Sequence, residues 1–194
     1  MHRCCTGAPP RPSRIHTKST WGAGLTKSSW PRWVMDERDP SALREVRPHL
    51  FVGSEFSPQQ TPRHYWDLVV DMCGSSMFHP ERYTRVNSLL RRPMFDGRSI
   101  QRRTLHEIHT EVHPRIRRRE PVLIHCHAGA SRSVSVAYAL VRVVDGADHE
   151  TALRQVKIHE GSRFPMPETL SSARNWVREF RRRQNRKSTR VELP

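Results

Sequence analysis

The stretch Leu123-Ile124-His125-Cys126-His127-Ala128-Gly129-Ala130-Ser131-Arg132-Ser133 decides the fold of this chain. Its lead-in, Val122-Leu123-Ile124, is apolar and partly β-branched, as a buried strand requires. Its lead-out, residues 133–144, is apolar nearly all round, as a helix at the centre of a domain is. A strand, a tight loop and a helix N-terminus together make an anion site, because backbone N–H groups converge there and the helix dipole favours negative charge. The same field favours the thiolate of a cysteine, its nucleophilic form. Arg132 closes the loop with a planar fork of donors suited to two phosphate oxygens at once. The pattern predicts a site that cleaves phosphate esters.

Spacing alone would not carry that reading, and the chain holds its own control. Cys5 and Arg11 stand the same distance apart, in Cys5-Thr6-Gly7-Ala8-Pro9-Pro10-Arg11. Pro9 and Pro10 supply no backbone N–H, no apolar strand precedes them, and no helical pattern follows. The signal at Cys126 lies in its surroundings: the buried-strand lead-in, Gly129 where backbone must pass close to a ligand, and the hydroxyl of Ser133.

The string from His125 to Ser133 resembles the signature of the dual-specificity phosphatases, within the cysteine-based protein tyrosine phosphatase superfamily. The similarity runs from about residue 47 to 180. Pro48-His49-Leu50-Phe51-Val52-Gly53-Ser54 resembles the opening strand of that domain, and Arg92-Pro93-Met94-Phe95-Asp96-Gly97 resembles its general-acid loop. The resemblance implies that Cys126 attacks phosphorus and becomes a phosphocysteine. Arg132 and the N–H groups of the loop residues His127, Ala128, Gly129, Ala130 and Ser131 would hold the oxygens. Asp96 would protonate the leaving group and then activate water, and Ser133 would donate a hydrogen bond to the sulfur. His125 would orient the loop, and His127 would point outward to meet substrate. The implied chemistry needs no metal and no cofactor.

Two other constellations carry chemistry-bearing side chains. His106, His109 and His113 share one helix face beside an apolar stripe; zinc binding lacks an identifiable fourth ligand, and a polar helix edge is the simpler reading. Cys73 follows the apolar run Leu68-Val69-Val70. In some related phosphatases a cysteine in a similar place forms a reversible disulfide with the catalytic thiolate, so by resemblance Cys73 is a candidate redox partner of Cys126; the alternative is a buried core thiol.

The 194 residues fit one domain plus flanks, and the formal charge of +15 is placed unevenly. Residues 1–35 carry six basic side chains and no acid, and residues 181–194 carry six against Glu192. The expected organisation is a disordered basic leader over 1–40, a catalytic domain over 41–182 and a basic tail over 183–194. The leader lacks the apolar core of a signal peptide, its prolines argue against a transit-peptide helix, and Met35 offers an alternative start. Trp21, Trp30 and Trp33 could dock a partner, with a solvated segment as the plainer reading. No run is long enough to cross a bilayer. The expectation is a cytoplasmic monomer with a phosphorylated protein as partner and no obligatory nucleic acid. Its basic ends would make at most weak electrostatic contact with acidic surfaces.

The fold expected is α/β: a mostly parallel central sheet flanked by helices, protein tyrosine phosphatase-like. Strands are expected at Leu50-Phe51-Val52, Leu68-Val69-Val70 and Val122-Leu123-Ile124. A helix with Ile100, Leu105, Ile108, Val112 and Ile116 on one stripe should start at a Ser99 N-cap and kink or end at Pro114. Asp145-Gly146 should stop the central helix, another should follow Asp148, and a last should bury Leu170, Ala173, Trp176, Val177 and Phe180.

The function expected is hydrolysis of phosphate monoesters, on phosphotyrosine and phosphoserine or phosphothreonine of proteins. A non-protein substrate such as a phosphoinositide or phosphoglycan, and a catalytically silent phosphate-binding module, stand as alternatives. Ala130 occupies the place where related lipid phosphatases carry a lysine, and Ser131 the place where RNA triphosphatases carry an asparagine. Gly161-Ser162-Arg163-Phe164-Pro165-Met166-Pro167 departs from the usual downstream pattern of the kinase-directed group.

Overall fold

Strands β1 (Arg44–Arg47), β2 (Leu50–Gly53), β3 (Leu68–Asp71), β4 (Leu89–Arg91) and β5 (Val122–His125) form one sheet in the order β1-β2-β5-β3-β4. The computed structural model describes residues 43–59, 65–74, 78–156 and 165–191. The leader with its tryptophans, the Cys5–Arg11 pair and residues 157–164 lie outside the described residues. β2, β5, β3 and β4 run parallel; β1 joins β2 antiparallel through a turn at Pro48-His49, where His49 takes a φ of 68°. Every residue of β2, β3 and β5 is buried, so both faces of the sheet are covered.

The two covers differ. Alternation along the strands sends Leu50, Val52, Leu68, Val70, Val122 and Ile124 to one face. There they meet α1 (Arg102–Arg117), α2 (Arg132–Val144), α3 (His149–Gln155) and α4 (Pro167–Val191). Phe51, Val69 and Leu123 face the other way, onto Trp66 and the flanking Tyr83 and Val86. Among the described residues the α-helices all pack on the first face, and the second is closed by Trp66 and short single-turn segments at 57–59 and 80–83.

β1 and β4 are additions to the three expected strands; Leu89–Arg91 is partly exposed, with too little apolar pattern to mark it as a strand. Ser99 does not cap α1. The helix starts at Arg102, with Gln101 in the N-cap position and no side-chain cap. Ile100 is buried but precedes the helix, because its N–H donates to Ser172 Oγ (2.9 Å) on α4 and holds that segment extended. Pro114 lies inside α1, which ends at Arg117, within a turn of the proline. Asp148 caps α3 through Thr151 N–H (2.8 Å), and Gly146, at φ 69°, closes α2. The domain boundary expected at residue 182 falls inside α4, which continues to Val191. Among the described residues no helix is long and apolar enough to cross a membrane.

Candidate active site

β5 is the central strand, between β2 and β3, so Cys126 leaves the sheet at the carboxyl edge where parallel strands present ligand sites. The register sets Gly53 and Asp71 directly beside His125. Residues far apart in sequence therefore meet at one level, just beneath the loop.

The loop from Cys126 to Arg132 is tied down from outside. Glu55 N–H donates to the carbonyl of His127 (3.1 Å), Arg44 Nη2 to the carbonyl of Gly129 (3.1 Å), and Met166 N–H to Ser131 Oγ (3.1 Å). In a planar trans peptide the carbonyl of one residue and the N–H of the next point in opposite directions. Anchoring the carbonyls of residues 127 and 129 thus turns the N–H groups of Ala128 and Ala130 away from the anchors. Among the described residues the backbone N–H groups of 127–131 have no acceptor. Gly129 is required twice over: its φ is +69°, and a Cβ there would lie 2.8 Å from the carbonyl carbon and oxygen of Gly53 and 3.0 Å from Ser54 N.

Cys126 is 1% exposed, and its Sγ lies 3.2 Å from Ser133 Oγ, one residue into α2. Arg132, the first residue of that helix, is 6% exposed. Its Nη1 donates to the carbonyls of Met94 (2.8 Å) and Met72 (3.2 Å), pinning residues 92–98 over the loop. Its Nε is buried with no hydrogen-bond partner; Asp96 Oδ1 stands 3.7 Å away. A guanidinium this buried, without a carboxylate at hydrogen-bond distance, makes a place for an anion. Asp96 is itself exposed and accepts Gly97 N–H (3.1 Å), while Arg92 ties the start of its loop to Glu107 of α1 (2.7 Å). Phe95, the neighbour of Asp96, stands out into solvent.

Beneath the loop lies a polar network of which the sequence pointed to His125 and Cys73 but not to Asp71, Tyr83 or Arg91. His125 is fully buried, with Nδ1 3.8 Å from Cys73 Sγ and Nε2 3.1 Å from Tyr83 Oη and 3.6 Å from Asp71 Oδ1. Burial holds the imidazole down to about 4 against the attraction of Asp71, so the ring is neutral. Asp71 accepts Cys73 N–H (2.8 Å) and pairs with Arg91 (3.2 Å). Burial first, then the Asp71 carboxylate, push the Cys73 thiol well up. Donor atoms of Asp71, Cys73 and His125 lie within 4.8 Å of one another and could in principle hold a metal ion. The two ring nitrogens instead face different partners, and the Asp71 oxygens are already engaged, which makes the group a hydrogen-bonded chain. Cys73 and Cys126 are both free thiols.

His127 is half-exposed, and its Nδ1 lies 2.8 Å from Glu55 Oε1. Burial pulls the Glu55 carboxyl up, but hydrogen bonds from His127 and Arg82 outweigh it and leave it below the usual carboxylate range. Of the site residues not singled out from the sequence, only Asp71 left a local trace there, a carboxylate closing an apolar strand. Arg44, Glu55 and Tyr83 gave none. The histidine cluster resolves as packing: His109 stacks on His113 (5.3 Å between ring centroids) and meets Phe180 edge-on (4.8 Å), and burial, with the two neighbouring histidines, sets it at about 4.

No family model and no curated protein matches the chain. Solved structures do match. Human DUSP28 superposes with a TM-score of 0.62 at 23% identity, over 74% of this chain and 97% of its own. A mouse protein described as a dual-specificity phosphatase and crystallised with zinc tungstate gives 0.63 at 22%, over 76% and 93%. The fold is that of the dual-specificity phosphatases. PTPMT1 in complex with PI(5)P shares it, with a TM-score of 0.59 at 15% identity over 73% of this chain and 98% of its own.

Proposed function

We propose that this chain is a cysteine-dependent phosphatase of the dual-specificity type. The observation that carries the reading is the meeting, at one end of β5, of Cys126, loop amides with no acceptor among the described residues, and a buried Arg132 Nε that makes no hydrogen bond there. An oxyanion satisfies all of these donors at once, with its phosphorus set toward the sulfur.

The Cys126 thiolate attacks phosphorus and the bond to the leaving oxygen breaks, giving a phosphocysteine. Charge on the equatorial oxygens is met by Arg132 and the loop N–H groups. Asp96 gives its proton to the leaving oxygen, then takes one from the water that cleaves the S–P bond. Ser133, 3.2 Å from the sulfur, donates to it as it departs. Arg132 serves two functions: the Nη1 that holds the Met94 carbonyl brings the Asp96 loop over the phosphate its Nε would bind.

The leading substrate class is phosphoprotein, through phosphotyrosine and phosphoserine or phosphothreonine. The likeness to a structure holding PI(5)P supports a phosphoinositide as the second reading. A silent phosphate-binding module would not need Cys126, Asp96 and Ser133 kept together. The test is turnover of phosphopeptides, phosphoinositides and an aryl phosphate, with Cys126→Ser as the blank. Cys126→Ser should abolish all turnover, and Asp96→Asn should slow substrates with poor leaving groups more than good ones. Equal slowing would remove Asp96 from the acid role, and activity surviving in Cys126→Ser would remove the mechanism.

A further inference from the structure

At the far end of α2, about 15 Å along the helix from Arg132 at 1.5 Å per residue, lies a shallow cavity of about 440 Å³ between α2, α3 and α4. Tyr138 forms its floor, and Arg142, His149, Arg174, Arg178 and Arg181 surround it. None of these four arginines forms an ion pair with a carboxylate among the described residues. Glu150 reaches only His149, at 3.9 Å, and Asp145 is taken by Arg47 at 2.7 Å.

The hydrogen bonds fix who donates. Arg174 Nη2 lies 3.0 Å from His149 Nε2, and a guanidinium can only donate, so Nε2 accepts and the ring proton sits on Nδ1. That Nδ1 is 2.8 Å from Tyr138 Oη, which also accepts from Arg142 Nη1 at 2.8 Å. The buried hydroxyl therefore receives two hydrogen bonds, and its own proton has no acceptor among the described residues. Arg142 Nε is likewise buried without a partner. Arg174, Arg178 and Arg181 stand at i, i+4 and i+7 on α4, a spacing at which like charges repel. Arg181 has a structural reason to be there, since its Nη2 donates to the carbonyls of Arg142 (2.6 Å) and Ala147 (2.9 Å) near the end of α2. Arg174 reaches His149 on α3 and Arg178 only Asn175 Oδ1 of its own helix, so neither has its charge met by a carboxylate among the described residues.

We propose that this cavity is a second oxyanion site, which takes a phosphate- or sulfate-type group carried by a small polar molecule or a lipid head. A tetrahedral anion accepts from the guanidinium forks and from the Tyr138 hydroxyl, and offsets the repulsion along α4. Its occupancy bridges three helices and does not depend on turnover at Cys126.

The test is calorimetric titration of the full chain with inorganic phosphate at low ionic strength, for wild type, R174Q/R178Q and the charge-matched control R182Q/R183Q. The expected result is one class of sites weakened roughly ten-fold or more in R174Q/R178Q alone. Aryl-phosphate turnover and thermal unfolding should stay at wild-type values in both variants. A parallel arm measures sedimentation with phosphatidylcholine vesicles carrying a phosphatidylinositol phosphate. Loss there, with the phosphate titrations of all three proteins alike, assigns the same site to a lipid head. Equal weakening by both double variants, or no change in R174Q/R178Q in either arm, overturns the site.

Discussion

Replacing Gly129 by alanine isolates the geometry on which the proposed phosphate loop depends. Two separable costs follow from the structure. The φ of +69° charges any L residue about 1–2 kcal/mol for left-handed backbone. The added Cβ would also stand 2.8 Å from the Gly53 carbonyl, which is backbone in the fully buried strand β2 and cannot rotate aside. Overpacking of this kind adds about 1–3 kcal/mol. Gly146 provides the reference: it has the same φ of +69°, but a Cβ there meets nothing within 4 Å. Gly146→Ala should therefore lose only the first cost. In a domain of this size each 1 kcal/mol lowers the melting temperature by roughly 2–4 °C, so Gly129→Ala should melt several degrees below Gly146→Ala. Relieving the clash moves the loop away from β2, and a shift approaching 1 Å at a reacting centre costs roughly a hundred-fold in rate. Thermal unfolding together with aryl-phosphate kcat/KM checks both parts. Equal melting of the two variants, with Gly129→Ala still active, would refute the close approach of loop and strand.

Three further outcomes follow from the same geometry. Ser133→Ala removes the hydroxyl 3.2 Å from Cys126 Sγ; a hydrogen bond to a charged partner contributes about 1.5–3 kcal/mol, so under the proposed mechanism breakdown of the phosphocysteine should slow roughly ten- to hundred-fold and a pre-steady-state burst should appear. Stability should decline as pH falls from the ordinary histidine value near 6.5 toward 4, because His125 and His109 are held at about 4 in the fold and the unfolded chain takes up protons that the folded chain refuses. His109 faces His106, His113, Trp176 and Phe180, and His109→Gln should flatten part of that slope in chemical denaturation across the window. Mild peroxide should convert Cys126 to its sulfenic acid, from which the Cys73 thiol displaces water to form a disulfide; with Cys73 raised by burial and Asp71, this closure should be slow. Mass spectrometry that finds no Cys73–Cys126 bridge in protein reversibly inactivated by peroxide would leave Cys73 as a core thiol.

The sequence by itself determined the strand–loop–helix at residues 122–144, the strands β2 and β3, and the last three helices. Each depends on local properties: apolar periodicity, a capping aspartate at Asp148, a glycine that closes a turn. The cysteine and arginine of the loop were legible through what flanks them, an apolar strand before and a helical run after, since the same spacing recurs at Cys5 and Arg11 without either. Where a local rule met a distant partner it failed, as at Ser99, which yields because Ile100 is held by Ser172 on α4. Only the tertiary structure set Asp71 and Gly53 beside His125, through the register of parallel strands, and brought Arg44, Glu55 and Met166 to the rim of the loop. It likewise gathered Tyr138, Arg142, His149 and Arg174 around one cavity, through the packing of α2, α3 and α4. Periodicity fixes which face of an element is buried, whereas the meeting of groups 11 to 85 positions apart depends on strand order and helix packing, which no local pattern encodes.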